Sequence, residues 1–195
     1  MKAIVGYEPI RLLYAGVYTN TYAARNHATG THVWLKTAAA AHPSASDLER
    51  LRHECDISSA LAEEGFPVFR NLRRYGDTLA CVADNVGENG VTVREWMDAL
   101  RGPDSLIAIL SVALRLVGLL DAFHRRRLVH HQIAPDTLWI EPETWNVRPI
   151  DYGFARETGA DPESVFATLA DIRHFAYLSP ELTGRLHRPV DDRSD

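Results

Sequence analysis

Cysteine is nearly absent: the 195 residues hold two, Cys55 and Cys81, and neither belongs to a Cys-x-x-Cys pair. Two thiols make no disulfide framework, and a reducing compartment is the simpler reading. Excess positive charge is missing as well. The balance of 21 Lys and Arg against 26 Asp and Glu leaves a formal charge of −5 and a pI near 6.0. That favours neither nucleic acid nor an anionic membrane surface as a partner. The one basic cluster, Arg125-Arg126-Arg127, reads as a solvated helix end. Long apolar runs are lacking too. The longest, around residues 106–120, is broken by Ser111, Arg115 and Gly118, and reads as too short and too polar to span a bilayer. Residues 1–7 show no sustained apolar run or cleavage pattern, so no signal peptide is expected and the cytoplasm is the expected location. With 46% hydrophobic and 24% charged residues, the chain has the make-up of a soluble globular protein of one domain or two lobes.

What is present is ordered along the chain. Short strand-like runs at 10–15 and 21–25 flank Gly16, His27-Ala28-Thr29-Gly30 reads as a turn, and 31–36 as a third strand. Ser46 and Glu49 have capping-box spacing and predict a helix from Ser46. Leu48, Leu51, Cys55, Ser58 and Ala62 continue it at helical intervals, and Gly65 and Pro67 end it. Residues 68–74 and 78–83 read as a strand pair around Tyr75-Gly76-Asp77. Gly87, Asn89 and Gly90 form a flexible joint. A short helix over 92–100 and a long one over 105–127 follow. The wide apolar stripe of the long helix predicts burial on much of its girth. Short strands are expected at 137–140 and 146–150. A strand-rich part, a joint and a helical part predict two lobes with a cleft, where ligands favour binding.

Three segments in order carry a resemblance: Val33-Trp34-Leu35-Lys36, then His130-His131-Gln132-Ile133-Ala134-Pro135-Asp136-Thr137, then Asp151-Tyr152-Gly153. Ser179-Pro180-Glu181 comes after them, and Glu54 lies on the predicted helix beyond Lys36. In this order they make the chain resemble a protein kinase over nearly its whole length. Residues 178–195 look closest to the bacterial serine/threonine kinase-like domains at the front of multi-sensor histidine kinases. The resemblance implies an α+β, two-lobed fold. An antiparallel β N-lobe with one helix would take 1–86, and a partial helical C-lobe 87–195. It also implies roles. Lys36 would hold the α- and β-phosphates of ATP, Glu54 would fix Lys36, and Asp151 would carry Mg²⁺. Gly16, Trp34, Trp139 and Asp84 fall with Lys36 among the nucleotide-binding positions. ATP and Mg²⁺ are the cofactors of an active version; a degraded one needs none.

The departures fall on the chemistry. Gln132 stands where the family has its catalytic aspartate, and a primary amide has no useful basicity near neutral pH. Thr137 replaces the asparagine of the second metal site, and Ala134 a polar residue. His130 or His131 is the alternative base, although the first histidine of this loop usually packs inward. Tyr14, Gly16 and Thr19 align with three glycines of the phosphate loop, so one remains. Trp34 and Trp139 align above and below the adenine ring; the indoles either fill the slot or turn outward. In the resembled family Asp195 opens a long apolar helix and pins the catalytic loop. The expectation is therefore a fragment, a truncated product, or a chain completed by a protein partner, with Glu181 losing its arginine and the long helix one face of its cover. Within the activation segment, Thr158, Ser164, Thr168 and Ser179 are candidate phosphosites, and His131 replaces the usual phosphate-reading arginine. Three functions compete: a pseudokinase used as a signalling or scaffold module, a working serine/threonine kinase, and a small-molecule phosphotransferase. Ser179-Pro180-Glu181 and Gln132 argue against the third.

Overall fold

Period-two patterning builds the first sheet. In the computed structural model, which describes residues 4–76, 78–84, 86–87, 89–102, 105–159, 172–183 and 190–195, five antiparallel strands run β1 (Tyr7–Ala15), β2 (Thr19–Asn26), β3 (His32–Ala38), β4 (Arg70–Tyr75) and β5 (Thr78–Ala83). Their spatial order is β1-β2-β3-β5-β4. Register sets Val33 opposite Ala24, and Leu35 opposite Tyr22 and Val82. With Ile4 these form an apolar core on one face, with Tyr7, Tyr22 and Tyr75 packed against it. Because side chains alternate, the other face receives Trp34 beside Ala23 and Ala83, and Lys36 beside Thr21 and Cys81. The fold class is α+β, as the sequence implied.

Helix α1 (Ala45–Ala60) packs on β3 and β4 and turns Leu51, Glu54, Ile57 and Ser58 inward. Its capping box is Ser44 with Asp47, not Ser46 with Glu49. Both pairs have the right spacing, and the earlier one satisfies the same orphan donors while lengthening the helix. A 3-10 turn over Ala62–Glu64 follows, closed by Gly65 at φ 77°, a left-handed position that suits glycine. Of the predicted hairpin turn, Gly76 has φ 63° and Asp77 lies outside the described residues. The fold also brings the two cysteines together. Cys55 on α1 and Cys81 on β5 meet sulfur to sulfur, with Cα atoms 7.2 Å apart, just beyond the usual span of a bridged pair. Their separation of 26 residues hid this in the sequence.

The chain divides into two units: Met1–Gly90 with Pro149–Gly153, and Val91–Arg148 with Phe154–Asp195. The second holds β6 (Val91–Thr92), α2 (Val93–Ala99), α3 (Ser105–Arg125), β7 (Leu128–Val129), β8 (Leu138–Glu141), β9 (Asn146–Pro149) and β10 (Arg156–Glu157). Strands pair as β6-β8-β9 and β10-β7, and Thr92 with Glu95 forms the capping box of α2. Helix α3 corrects two expectations. It buries Val112, Leu119, Ala122 and Phe123, while Leu106, Leu110, Leu114 and Val117 are 56–74% exposed. The covering surface, β7 among it, is narrower than the apolar stripe. By length and composition α3 is also long and apolar enough to cross a membrane. Ser111 is no real break, since its hydroxyl donates to the Ile107 carbonyl at 2.8 Å. Length and composition alone do not make it a membrane span.

Candidate functional site

In the first unit three elements deliver one charged cluster. Lys36, at the heart of β3, is fully buried. Its Nζ donates to Glu54 Oε2 and, at 2.9 Å, to Asp151 Oδ1. Thr19, at the start of β2, donates to Glu54 Oε1 at 2.8 Å and lies 3.4 Å from Asp151 Oδ1. The Tyr152 amide donates to Glu54 Oε2 at 3.1 Å and the Gly153 amide to Asp151 Oδ2 at 3.3 Å. Tyr152 itself is buried, its hydroxyl donating to the Pro67 carbonyl at 2.9 Å and its ring edge-on to Phe69. The Lys36 ammonium also stands 4.7 Å from the centre of the Phe69 ring, a cation–π distance.

One ammonium faces two carboxylates here, both removed from water. Burial lowers the Lys36 pKa, but Asp151 and Glu54 outweigh it and hold the group above its ordinary value. Glu54 is pushed up to about 7, first by burial and then by the Asp151 charge, against the pull of Lys36. Asp151 is held below the usual carboxylate range because Lys36 and the surrounding donors outweigh its burial. Of the two carboxylates, Asp151 is the one the cluster favours as the anion and Glu54 the one it favours protonated.

In the second unit the loop after β7 is pinned by Asp195. Its carboxylate accepts from the His130 amide at 2.8 Å and the His131 amide at 2.7 Å, and meets His124 Nε2 at 3.0 Å. His131 sits at φ 63°, and its Nδ1 lies 3.0 Å from the Phe154 carbonyl. That carbonyl can only accept, so Nδ1 is the protonated nitrogen. Burial lowers the pKa of His131. His130 packs on Phe123, and its Nδ1 accepts from the Gln132 amide at 3.3 Å. Both imidazoles are turned inward, at 1% and 4% exposure. Gln132 is buried as well. Thr137 staples the loop: its hydroxyl lies 2.8 Å from the Gln132 carbonyl and 3.0 Å from the Ala134 carbonyl, and accepts from the Ala134 amide at 3.1 Å.

As arranged, these residues do not fit Mg²⁺ well. Asp151 supplies one carboxylate whose two oxygens already accept hydrogen bonds, and the hydroxyl of Thr137 is spent on its own loop. Among the described residues no group of three or more His, Cys, Asp and Glu is placed to hold a metal ion.

Comparison with known proteins finds weak similarity to protein kinases. No protein-family model matches the chain. It is similar to the serine/threonine-protein kinase TIO of Arabidopsis thaliana, at 26% identity over 183 residues, 90% of this chain and 13% of that protein. Similarity to the serine/threonine-protein kinase PknL of Mycobacterium tuberculosis reaches 35% over 92 residues, 47% of this chain and 22% of the relative. A probable casein kinase I homolog of Encephalitozoon cuniculi is 25% identical over 155 residues, 76% of this chain and 47% of the relative. The chain is protein-kinase-like. It spans less than half the length of each of these curated relatives.

Within this kinase-like chain the predicted residues separate into two groups. Lys36, Glu54 and Asp151 meet in the first unit; Gln132 and Thr137 share one loop of the second. Gly16 forms a tight turn, its amide donating to the Thr19 carbonyl at 2.9 Å. An added Cβ there would meet that carbonyl and the Tyr14 ring at 2.8 Å. Trp34 is buried in β3 and Trp139 in β8. Asp84, just past β5, lines a cavity of about 270 Å³ with Arg70, Phe66 and Val68, none of which belongs to the Lys36 cluster. Glu181 accepts from the Ser194 hydroxyl at 2.7 Å. Of the candidate phosphosites, Thr158 and Ser179 are described, whereas Ser164 and Thr168 lie outside the described residues. Two features were missed. Thr19 does more than replace a glycine, since its hydroxyl completes the cluster. Arg94 of α2 ties Asp136 at 3.2 Å to the Tyr177 hydroxyl at 2.8 Å. A polar side chain in a phosphate loop was the available signal for the first; nothing in the sequence marked the second.

Proposed function

We propose that this kinase-like chain is a pseudokinase acting as a signalling or scaffold module toward protein partners in the cytoplasm. One setting that suits its last residues is the front of a multi-sensor histidine kinase. The observation that carries the reading is the amide of Gln132 at the base position. Two neighbours support it: both loop histidines are buried, and Thr137 closes the loop instead of offering a metal ligand. Without a carboxylate, the substrate hydroxyl has no acceptor for its proton. The test is transfer of labelled γ-phosphate from ATP to protein by the purified chain beside Gln132→Asp. No transfer by either form is expected, because the metal position at Thr137 is lost too. Transfer by the unmodified chain sinks the proposal, and transfer by Gln132→Asp alone assigns the loss to the base.

A second reading, an active serine/threonine kinase using ATP and Mg²⁺, is favoured by the Lys36–Glu54–Asp151 set. The Thr21 hydroxyl, fully buried opposite Lys36 with no hydrogen-bond partner among the described residues, is also suited to a polar ligand. That reading requires Mg²⁺-dependent transfer that Lys36→Met abolishes.

A further inference from the structure

We infer that Cys55 and Cys81 form a reversible thiol–disulfide site whose oxidation holds Glu54 against Lys36. The inference rests on the Lys36–Glu54–Asp151 site and adds its regulation. Lys36 on β3 and Cys81 on β5 are cross-strand partners, and Glu54 and Cys55 are successive residues of α1. The ion pair and the sulfur pair therefore run side by side, each tying α1 to the same place in the sheet. They differ in what sustains them. The ion pair belongs to a buried cluster with two carboxylates for one ammonium, so its strength changes as Glu54 takes up or releases a proton. A sulfur–sulfur bond is indifferent to that charge balance. Cys81 is fully buried, while Cys55 is half-buried. Cys55 is thus the thiol a reagent reaches, and Cys81 the one that resolves.

A low-molecular-weight disulfide such as oxidised glutathione supplies the oxidant. The Cys55 thiolate attacks one of its sulfurs and expels one glutathione thiolate. The Cys81 thiolate then attacks the Cys55 sulfur of the mixed disulfide and expels the second. The two protons lost by the protein thiols end on the two released thiols, and a reducing dithiol reverses the sequence.

The full chain, equilibrated in buffers of stepped reduced-to-oxidised glutathione ratio, tests this with two measurements. Maleimide labelling in denaturant after an acid quench counts thiols, and acylation of Lys36 together with hydrogen exchange of α1 in the folded chain reads how firmly the helix is held. Both thiols are expected to disappear together, with Lys36 acylated several-fold more slowly and α1 exchanging more slowly in the oxidised form. Cys55→Ser and Cys81→Ser should each keep the Lys36 acylation and α1 exchange of the reduced chain in every buffer, with Cys55 of the second variant stopping at the mixed disulfide. Two thiols that stay reactive in a folded chain across the series overturn the inference. So does a disulfide that leaves Lys36 and α1 unchanged, or an oxidant-dependent slowing of Lys36 acylation and α1 exchange that survives in either variant. Phosphate transfer by the unmodified chain would overturn the functional reading alone, leaving these thiol outcomes as they are.

Discussion

Glu54 has two jobs that conflict. It must stay anionic to pair with Lys36, yet burial and Asp151 push its pKa from the ordinary 4.5 to about 7. A carboxyl that binds its proton more tightly when folded stabilises the fold in full below about pH 4.5. That contribution is lost as pH rises through about 7, and a shift of this size corresponds to on the order of 3 kcal/mol. His131 works the other way: its lowered pKa means it is neutral when folded and charged when unfolded, so its share of stability grows as pH rises toward its ordinary 6.5. Comparing wild type with Glu54→Gln isolates the carboxyl, because the amide keeps its size and an acceptor but does not titrate. Urea unfolding at intervals from pH 5 to 8 should show wild type losing stability relative to the variant as pH rises. Parallel curves would mean that Glu54 is an ordinary carboxylate. The same window matters for the site, since the Lys36–Glu54 attraction strengthens as Glu54 ionises.

Helix α1 carries Glu54 to its place, and its start decides how firmly. Ser44→Ala should cost about 1 kcal/mol, while Ser46→Ala should stay within about 0.5 kcal/mol, both read by chemical unfolding; the reverse order would return the cap to Ser46. What was legible in the sequence follows from the range of the signal. Strand alternation, the short helix over 92–100 and the spacing of α1 are local, and the structure repeats them with shifted ends. The roles of Lys36, Glu54 and Asp151 came from the order of short motifs within a resemblance, and their meeting in one cluster needs the whole sheet. The sulfur pair was illegible because it depends on the register of β3 with β5, which sets Cys81 opposite Lys36. Thr19 was read by what it lacks compared with glycine; its hydroxyl found a use only once the start of β2 was placed beside Glu54. For α3 the periodicity gave the stripe but not its cover: burial on much of the girth does not hold, whereas the expectation of one uncovered apolar face does.

Charge and apolar surface act together over the whole chain. The pI near 6.0 leaves little electrostatic repulsion just below neutral pH. Leu106, Ile107, Leu110, Leu114 and Val117 meanwhile keep more than half of their surface in water on α3, a patch of the kind that drives association. Concentration-dependent self-association of this chain should therefore peak near pH 6 and weaken toward pH 8, where net negative charge returns. Light scattering across a dilution series measures it. Leu110→Lys with Leu114→Lys should suppress the effect, because the new charges fall on the exposed face at 56% and 74% exposure. Folding stability should move by no more than about 0.5 kcal/mol per site. Phe123→Ala on the opposite, fully buried face should instead cost about 3–5 kcal/mol without removing the patch. If the double lysine variant associates as strongly as wild type at pH 6, another surface drives the association; if it unfolds, the outer face of α3 is covered in solution.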